Sequence, residues 1–225
     1  MQAVQKLAIY DMDRTITVRG TYAAFLVHMS LAIAPWRLIF LPIAGLVMLG
    51  YMLKIVGRGR AKELNQGLMM GWQLSRARIA PAVEAYADKV VVRNIRAGAL
   101  AQIAADKADG RRLLIASASY RLYVEPIARR LGFDDVIATD HFTQGVDYIR
   151  AKIAGENCYD VAKLRMIEAW MARQGIARGD VHVRAYSDHV TDAPMLDFAD
   201  EGHATNPHKP LRALAAQRGW PVLHW

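Results

Sequence analysis

Beyond about residue 105 the chain alternates short apolar runs with helical stretches, and this alternation constrains the fold more than any other feature of the sequence. Arg112–Ala116 (RLLIA) has the composition of a buried strand. The turn-like Ser117-Ala118-Ser119 follows, then a helix carrying Val124, Ile127, Ala128 and Leu131 at helical spacing, which Gly132 ends. Asp135–Thr139 (DVIAT) and Val181–Tyr186 make further strands, with a hairpin over Phe142–Ala154 and a strong helix over 160–174 between them. Near the N-terminus, Lys6–Tyr10 (KLAIY) is another short apolar run, and it ends directly in Asp11. Strands separated by helices give a parallel sheet with helices on both faces. Ligands of such sheets bind at the carboxyl ends of the strands.

Residues 18–102 do not alternate in this way. They carry helical patterns, no clear strand, and two stretches without charge, Gly20–Pro35 and Leu38–Leu53. The expected architecture is therefore an α/β core, a Rossmann-like doubly wound parallel sheet formed by residues 1–17 and 103–225. An all-helical segment, 18–102, is inserted after its first strand. A length of 225 residues suits one domain with an insertion. With 53% apolar and 22% charged residues, general disorder is excluded.

Four polar clusters lie just after expected strands or on a helix following one. They are Asp11-Met12-Asp13-Arg14-Thr15, Ser117-Ala118-Ser119, Lys163, and Asp188 with Asp192. Carboxylates at i and i+2 leaving a strand can place one group on a substrate and the other beside it. Two further carboxylates after a later strand supply the hard oxygens that Mg²⁺ prefers. A hydroxyl and a lysine between them offer a donor and a cation for phosphoryl oxygens. These are the parts of phosphoryl transfer through an aspartyl-phosphate.

The ordered set DMDRT, IASAS, Lys163 and YSDHVTD resembles the four motifs of the haloacid-dehalogenase superfamily of phosphohydrolases, in particular its phosphoserine-phosphatase-like branch, subfamily IB. The tail ATNPHKPLRALAAQRGWPVL resembles that branch's usual ending, and 18–102 matches its helical cap in position and character. The resemblance implies that Asp11 attacks phosphorus and that Asp13 protonates the leaving oxygen and later activates water. It implies that Thr15 and Ser117 orient the site and bind phosphate, with Ala118 and Arg14 beside the substrate. Lys163 would neutralise the phosphoryl and Asp11 charges. Asp188 would hold Mg²⁺ together with Asp11 and the Asp13 carbonyl, and Asp192 would hold Lys163 or the metal's water shell. An acid at Asp13 favours phosphate esters, since dehalogenases lack it.

Alternatives remain at several positions. Ser119 either substitutes for Ser117 or caps the following helix, and Ser117 is preferred by position. Lys152 competes with Lys163 but falls in the hairpin. His189 meets substrate or solvent. His28 among apolar residues reads as a satisfied, partly buried histidine. Cys158, the single cysteine, excludes an internal disulfide and reads as a small buried hydrophobe. Arg14 stands where relatives often carry Gly or Lys, Asp160 where they often carry Gly, and His189 where Ser or Gly is commoner; none of these removes a catalytic group.

The substrate must be sought in the insertion. Its apolar run Leu38–Leu53 is flanked by Trp36-Arg37 and by Lys54, Arg58, Arg60 and Lys62. Such a segment is a buried cap helix, a homodimer face, or an interfacial segment on an anionic membrane. Phosphatases of the branch that act on phosphatidylglycerophosphate carry a similar segment, so lipid phosphates stand beside small soluble monoesters such as phosphoserine. The formal charge of +8 suits an anionic partner, but the basic residues lack aromatic interleaving and nucleic acid is not expected. A regulatory protein on the same fold with little turnover is the alternative function. The N-terminal MQAVQKLAIYDMD is too polar for a signal peptide, so the expected location is cytoplasmic, membrane-peripheral if the cap meets lipid.

Overall fold

A computed structural model describes residues 5–225; the first four residues assigned to the core lie outside them. Eight strands form one sheet in the order β2-β5-β4-β3-β1-β6-β7-β8. The strands are β1 (Gln5–Tyr10), β2 (Gln73–Ser75), β3 (Arg112–Tyr120), β4 (Asp135–Gln144), β5 (Tyr148–Ala154), β6 (Val181–Ser187), β7 (Glu201–Thr205) and β8 (Val222–Leu223). All pairings from β4 to β8 across β3, β1, β6 and β7 are parallel, whereas β5 and β2 add antiparallel. The expected hairpin is thus β4–β5, with Asp140 paired to Ala154.

Side chains of β1 alternate between two cores, as a strand buried on both faces requires. Leu7 and Ile9 join Ile167, Trp170, Leu196 and Leu211 on one side. These come from α7 (Val161–Arg173), α8 (Ala193–Phe198) and α9 (Lys209–Arg218). Ala8 and Tyr10 face the opposite core with Ile103, Val124 and Ile127, from α5 (Ala97–Ala108) and α6 (Arg121–Leu131). The sheet is doubly wound. α6 ends at Gly132, whose φ of 78° is the left-handed cap conformation expected of that glycine.

Between β1 and α5 lie α1 (Tyr22–Ile33), the two-turn 3-10 stretch Pro35–Phe40, α2 (Leu41–Met52), α3 (Arg58–Met69) and α4 (Arg76–Arg93). The insertion is helical except for β2, whose three residues extend the sheet along β5. α5 runs through the expected boundary at 102–103 and contributes Ala99 and Ile103 to the core under the sheet. The cap is fastened to the core by aromatic packing: Phe25 of α1 lies 4.3 Å from Tyr123 of α6, and Tyr86 of α4 meets both rings. Such pairs contribute about 0.5–1.5 kcal/mol each beyond their buried area. His28 bonds through Nε2 to the Ala82 carbonyl at 2.9 Å, a satisfied histidine as expected. Cys158 is buried, and burial pushes its thiol up to about 12, so it is an inert hydrophobe.

Asp160 gives one departure from the branch's pattern a physical cost. It precedes α7 with φ 57° and ψ −138°, a conformation that suits glycine, while its carbonyl accepts from the Lys163 N–H at 3.0 Å. Strained backbone of this kind costs about 1–3 kcal/mol, and glycine returns part of the gain through its larger unfolded-state entropy. Asp160→Gly is expected to raise stability by about 1 kcal/mol in thermal or urea unfolding; an unchanged or lower midpoint would show that the strain is absent.

Candidate functional site

Sheet register assembles the site. Tyr10 of β1 is paired with Ile115 of β3 and with Tyr186 of β6. Asp11, Ser117 and Ser187-Asp188 therefore leave three adjacent strands at their carboxyl ends, where a doubly wound sheet presents its ligands. The Asp11 N–H extends the pairing by donating to the Tyr186 carbonyl at 3.0 Å. β3 runs on through Ser117-Ala118-Ser119, with its register shifted between Ser117 and Tyr120. The segment expected as a turn is an irregular strand end, of the kind that re-aims side chains at functional edges.

Lys163 enters from the first turn of α7 and is almost wholly buried. Its Nζ donates to Asp11 Oδ1 at 2.8 Å and to Asp192 Oδ2 at 2.7 Å. Burial alone would depress this amine, but Asp11 and Asp192 outweigh it and hold the ammonium above its usual range. Ser187 Oγ donates to the same Asp192 oxygen at 2.7 Å. The Thr15 hydroxyl accepts from the Asp188 N–H at 3.0 Å and lies 3.1 Å from Asp11 Oδ2 and 3.3 Å from Asp188 Oδ1. Asp11, Thr15, Lys163, Asp188 and Asp192 thus form one connected cluster.

Three buried carboxylates against one ammonium leave net negative charge in a dry place. Burial raises the Asp11 carboxyl well above the usual carboxylate range, against the opposing pull of Lys163. It also raises Asp188 to about 6, with Asp192 adding to the shift. A divalent cation would relieve both. Among the described residues no group of three or more His, Cys, Asp or Glu side chains converges as a metal cage. The donors on offer are two carboxylates, Asp11 and Asp188, linked through the Thr15 hydroxyl. Mg²⁺ suits that set, because it keeps several waters and takes one or two carboxylates.

Asp13 faces away from this cluster, toward the cap. Its Oδ1 accepts from the Thr21 N–H at 2.6 Å and the Thr21 hydroxyl at 2.7 Å, and its Oδ2 from the Ser119 hydroxyl at 2.6 Å. Ser119 is therefore a holder of Asp13 and makes no side-chain cap to α6. Ser117, buried at the strand end, accepts from the Ser119 N–H at 3.1 Å. Arg14 is exposed with φ 65°, the left-handed backbone that lets the chain reverse between Asp13 and Thr15. The Ala118 carbonyl is occupied by Lys62 and Thr139. Lys152 lies over the Phe142 ring in the hairpin and takes no part. His189 stacks on His208 with centroids 4.2 Å apart, and His208 Nδ1 bonds the Asp188 carbonyl.

The residue that the sequence reading misplaced is Lys62. Grouped with a solvent-facing basic flank, it instead points inward from α3. Its Nζ donates to Ala118 O at 2.6 Å and to Asn157 Oδ1 at 2.9 Å, and sits 4.2 Å over the Tyr120 ring. Burial, with Arg58 nearby, pushes this amine down to about 7. Arg58 also turns in, stacking 3.8 Å over Tyr159. Both line a cavity of about 160 Å³ with Asp13, Ser119, Tyr22, Met48 and Tyr51. The helical phase of Lys62, four residues after Arg58 on α3, was the only available signal for this.

An α/β core with a strand-end carboxylate pair, a buried lysine and an inserted cap defines the class: the chain belongs to the haloacid dehalogenase-like hydrolase family, whose model matches residues 8–197. A probable phosphatase of Mycobacterium tuberculosis is 35% identical over 156 residues, 68% of this chain and 51% of that protein. A phosphoserine phosphatase of the same species is 27% identical over 224 residues, 96% of this chain and 69% of its own length. The chain spans about half the length of the first of these relatives. A Bordetella pertussis protein of unknown function has a structure similar over 98% of this chain and 99% of its own, with TM-score 0.87 and 25% identity. A phospho-aspartyl intermediate analogue of phosphoserine phosphatase shares the fold at TM-score 0.63 and 18% identity, over 98% and 93% of the two chains.

Proposed function

We propose that this chain is a Mg²⁺-dependent phosphomonoester hydrolase that works through an aspartyl-phosphate on Asp11. The observation that carries the reading is the buried Lys163 ammonium held between Asp11 and Asp192, beside the Thr15-linked carboxylate of Asp188. Lys163 orients Asp11 and opposes the effect of burial on its charge, and once ionised one carboxylate oxygen forms a bond to phosphorus as the ester oxygen leaves. Asp13, at the cavity, gives that oxygen its proton and then takes one from the water that cleaves the acyl phosphate. Ser117 and Thr15 orient the phosphoryl oxygens. Asp11, Asp188 and the Asp13 carbonyl would hold Mg²⁺, which when bound neutralises phosphoryl charge.

The cavity speaks to the leaving group. Tyr22, Met48 and Tyr51 give it apolar walls, Arg58 gives it a cation beside the partly neutralised amine of Lys62, and Asp13 is the one carboxylate among its lining residues. An ammonium group such as that of phosphoserine would find no other acid there. The cavity favours a leaving group with anionic and apolar character, as in a lipid phosphate whose alcohol carries a further phosphate group.

The test is phosphate release from phosphoserine, glycerol phosphate and a short-chain lipid phosphate, with Mg²⁺ and with chelator. Expected is Mg²⁺-dependent release, fastest on the lipid analogue; no release from any of them would overturn the reading. Metal binding also has a pH signature. The raised Asp11 and Asp188 carboxyls keep protons in the fold that the unfolded chain has lost, so metal-free stability falls as pH rises from about 4 through at least about 6. Asp11 and Asp188 would hold Mg²⁺ in their ionised form, which would reverse that loss. Saturating Mg²⁺ should therefore raise the melting temperature by about 5–10 °C at pH 8 and much less at pH 5.5.

A further inference from the structure

α2 is apolar on every side, and a helix of that kind is ordinarily buried in a core or in lipid. Here only Ala44 of the helix is buried. Leu46 is 65% exposed and Met52 73%, and Ile39 and Ile55, just outside the helix, are 67% and 77% exposed. One edge is fixed to the cap: Leu38 packs against the core cluster, and Arg37 donates to the Gly67 and Leu68 carbonyls at 3.1 and 2.9 Å. The segment cannot leave the cap without breaking these bonds. Isolated exposed apolar residues are ordinary, but a contiguous apolar helix held outward on a folded domain marks an interaction surface.

Charge identifies the partner. Between Asp13 and Glu63 the sequence contains no Asp or Glu. Cations stand at both ends of the apolar segment. At its start Arg37 lies 4.7 Å over the Trp36 ring, and Arg78 donates to the Ile33 carbonyl at 3.1 Å. At its end are exposed Lys54 and Arg60, the latter in a solvent-facing pair with Glu63 at 3.3 Å. Arg58 and Lys62, turned into the cavity, are not part of this rim. A symmetric contact with a second copy would set the same cationic ends against each other, since a two-fold interface pairs a patch with itself. An apolar stripe between cations, with an aromatic residue at its edge, matches the interface of an anionic bilayer.

We propose that this cap face, centred on α2, docks the protein on the surface of an anionic membrane. The helix lies along the surface and does not cross it. Pro35–Met52 is long and apolar enough to span by composition, but the twelve residues of α2 rise only about 18 Å, short of a hydrocarbon core of roughly 30 Å. The preceding turn is pinned by Arg37. The same helix supplies Met48 and Tyr51 to the cavity wall, so docking places the leaving-group cavity against lipid. The docking itself does not depend on the proposed chemistry.

Vesicle flotation of the whole chain tests it, using phosphatidylcholine vesicles with and without 30% phosphatidylglycerol at low and high salt. Expected is binding to the anionic vesicles at low salt, at least tenfold weaker with neutral vesicles or in high salt. The triple variant Ile39→Ser/Leu46→Ser/Met52→Ser replaces exposed side chains outside the cavity. It should lose binding at least tenfold while keeping its melting temperature and its hydrolysis of a soluble phosphate ester. Lys54→Glu/Arg60→Glu should weaken the low-salt binding alone. Absence of flotation with anionic vesicles, or flotation unaffected by the triple variant, overturns the proposal. So does a stable dimer of the wild-type chain that the triple variant converts to monomer. Loss of all phosphatase activity with intact flotation would instead count against the enzymatic reading.

Discussion

Asp11→Asn is expected to abolish phosphate release, by about a thousandfold or more, while the chain keeps its fold. The amide is nearly isosteric and can still accept the Lys163 N–H at its carbonyl oxygen, so the cluster of Lys163, Thr15 and Asp192 has no reason to collapse. What is lost is the anionic oxygen that bonds to phosphorus. The melting temperature should stay the same or rise, because burial already disfavours charge at this position. Circular dichroism and a steady-state assay on one soluble ester check both halves. Turnover near the wild-type rate would place the nucleophile elsewhere and end the aspartyl-phosphate mechanism.

Lys163→Met carries the largest expected effect on stability. Its ammonium is the one cation between two buried carboxylates. Methionine fills the space of the side chain's stem but leaves Asp11 and Asp192 facing each other without a counter-charge. Removing one partner of a buried ion pair typically costs about 3–5 kcal/mol, and urea unfolding in chelator should show a loss of that order. Activity should vanish too. The double variant Lys163→Met/Asp192→Asn removes one of the stranded charges and should recover part of the stability, a non-additivity that only direct coupling explains. A single-variant loss below about 1 kcal/mol would mean the pair is solvated or unformed.

Much of the core could be read from the residues. Short apolar runs and period-3.6 patterns fix β1, β3, β6, α6 and α7 to within a few residues, because a strand covered on both faces needs an unbroken apolar run and a helix covered on one needs a stripe. The gathering of Asp11, Thr15, Lys163, Asp188 and Asp192 followed, since carboxylates directly after strands can only emerge at one edge of a parallel sheet. Three features escaped. β2 has just three residues and owes its existence to β5, a partner far away in sequence. Ser119 was weighed as a cap, but a strand irregularity turns it toward Asp13. Lys62 and Arg58 were grouped by sequence proximity with Lys54 and Arg60, yet the helix that carries them turns both inward; their spacing of four residues puts them on one face, but which way that face points depends on what the helix packs against.

The place of the insertion has a consequence for how the chain is made. Leu7 of the central strand pairs with Arg112 and with Val183, partners that leave the ribosome long after it. Closing such long loops precedes any reward from the pairing, so a topology of this kind folds slowly. During synthesis β1 waits while the cap helices, local in sequence, can already form. Asp11 acquires its lysine only once α7 exists and its second carboxylate neighbour only after β6. A chain stopped short of residue 188 holds a cap and an incomplete sheet, and lacks one of the two carboxylates proposed to hold Mg²⁺.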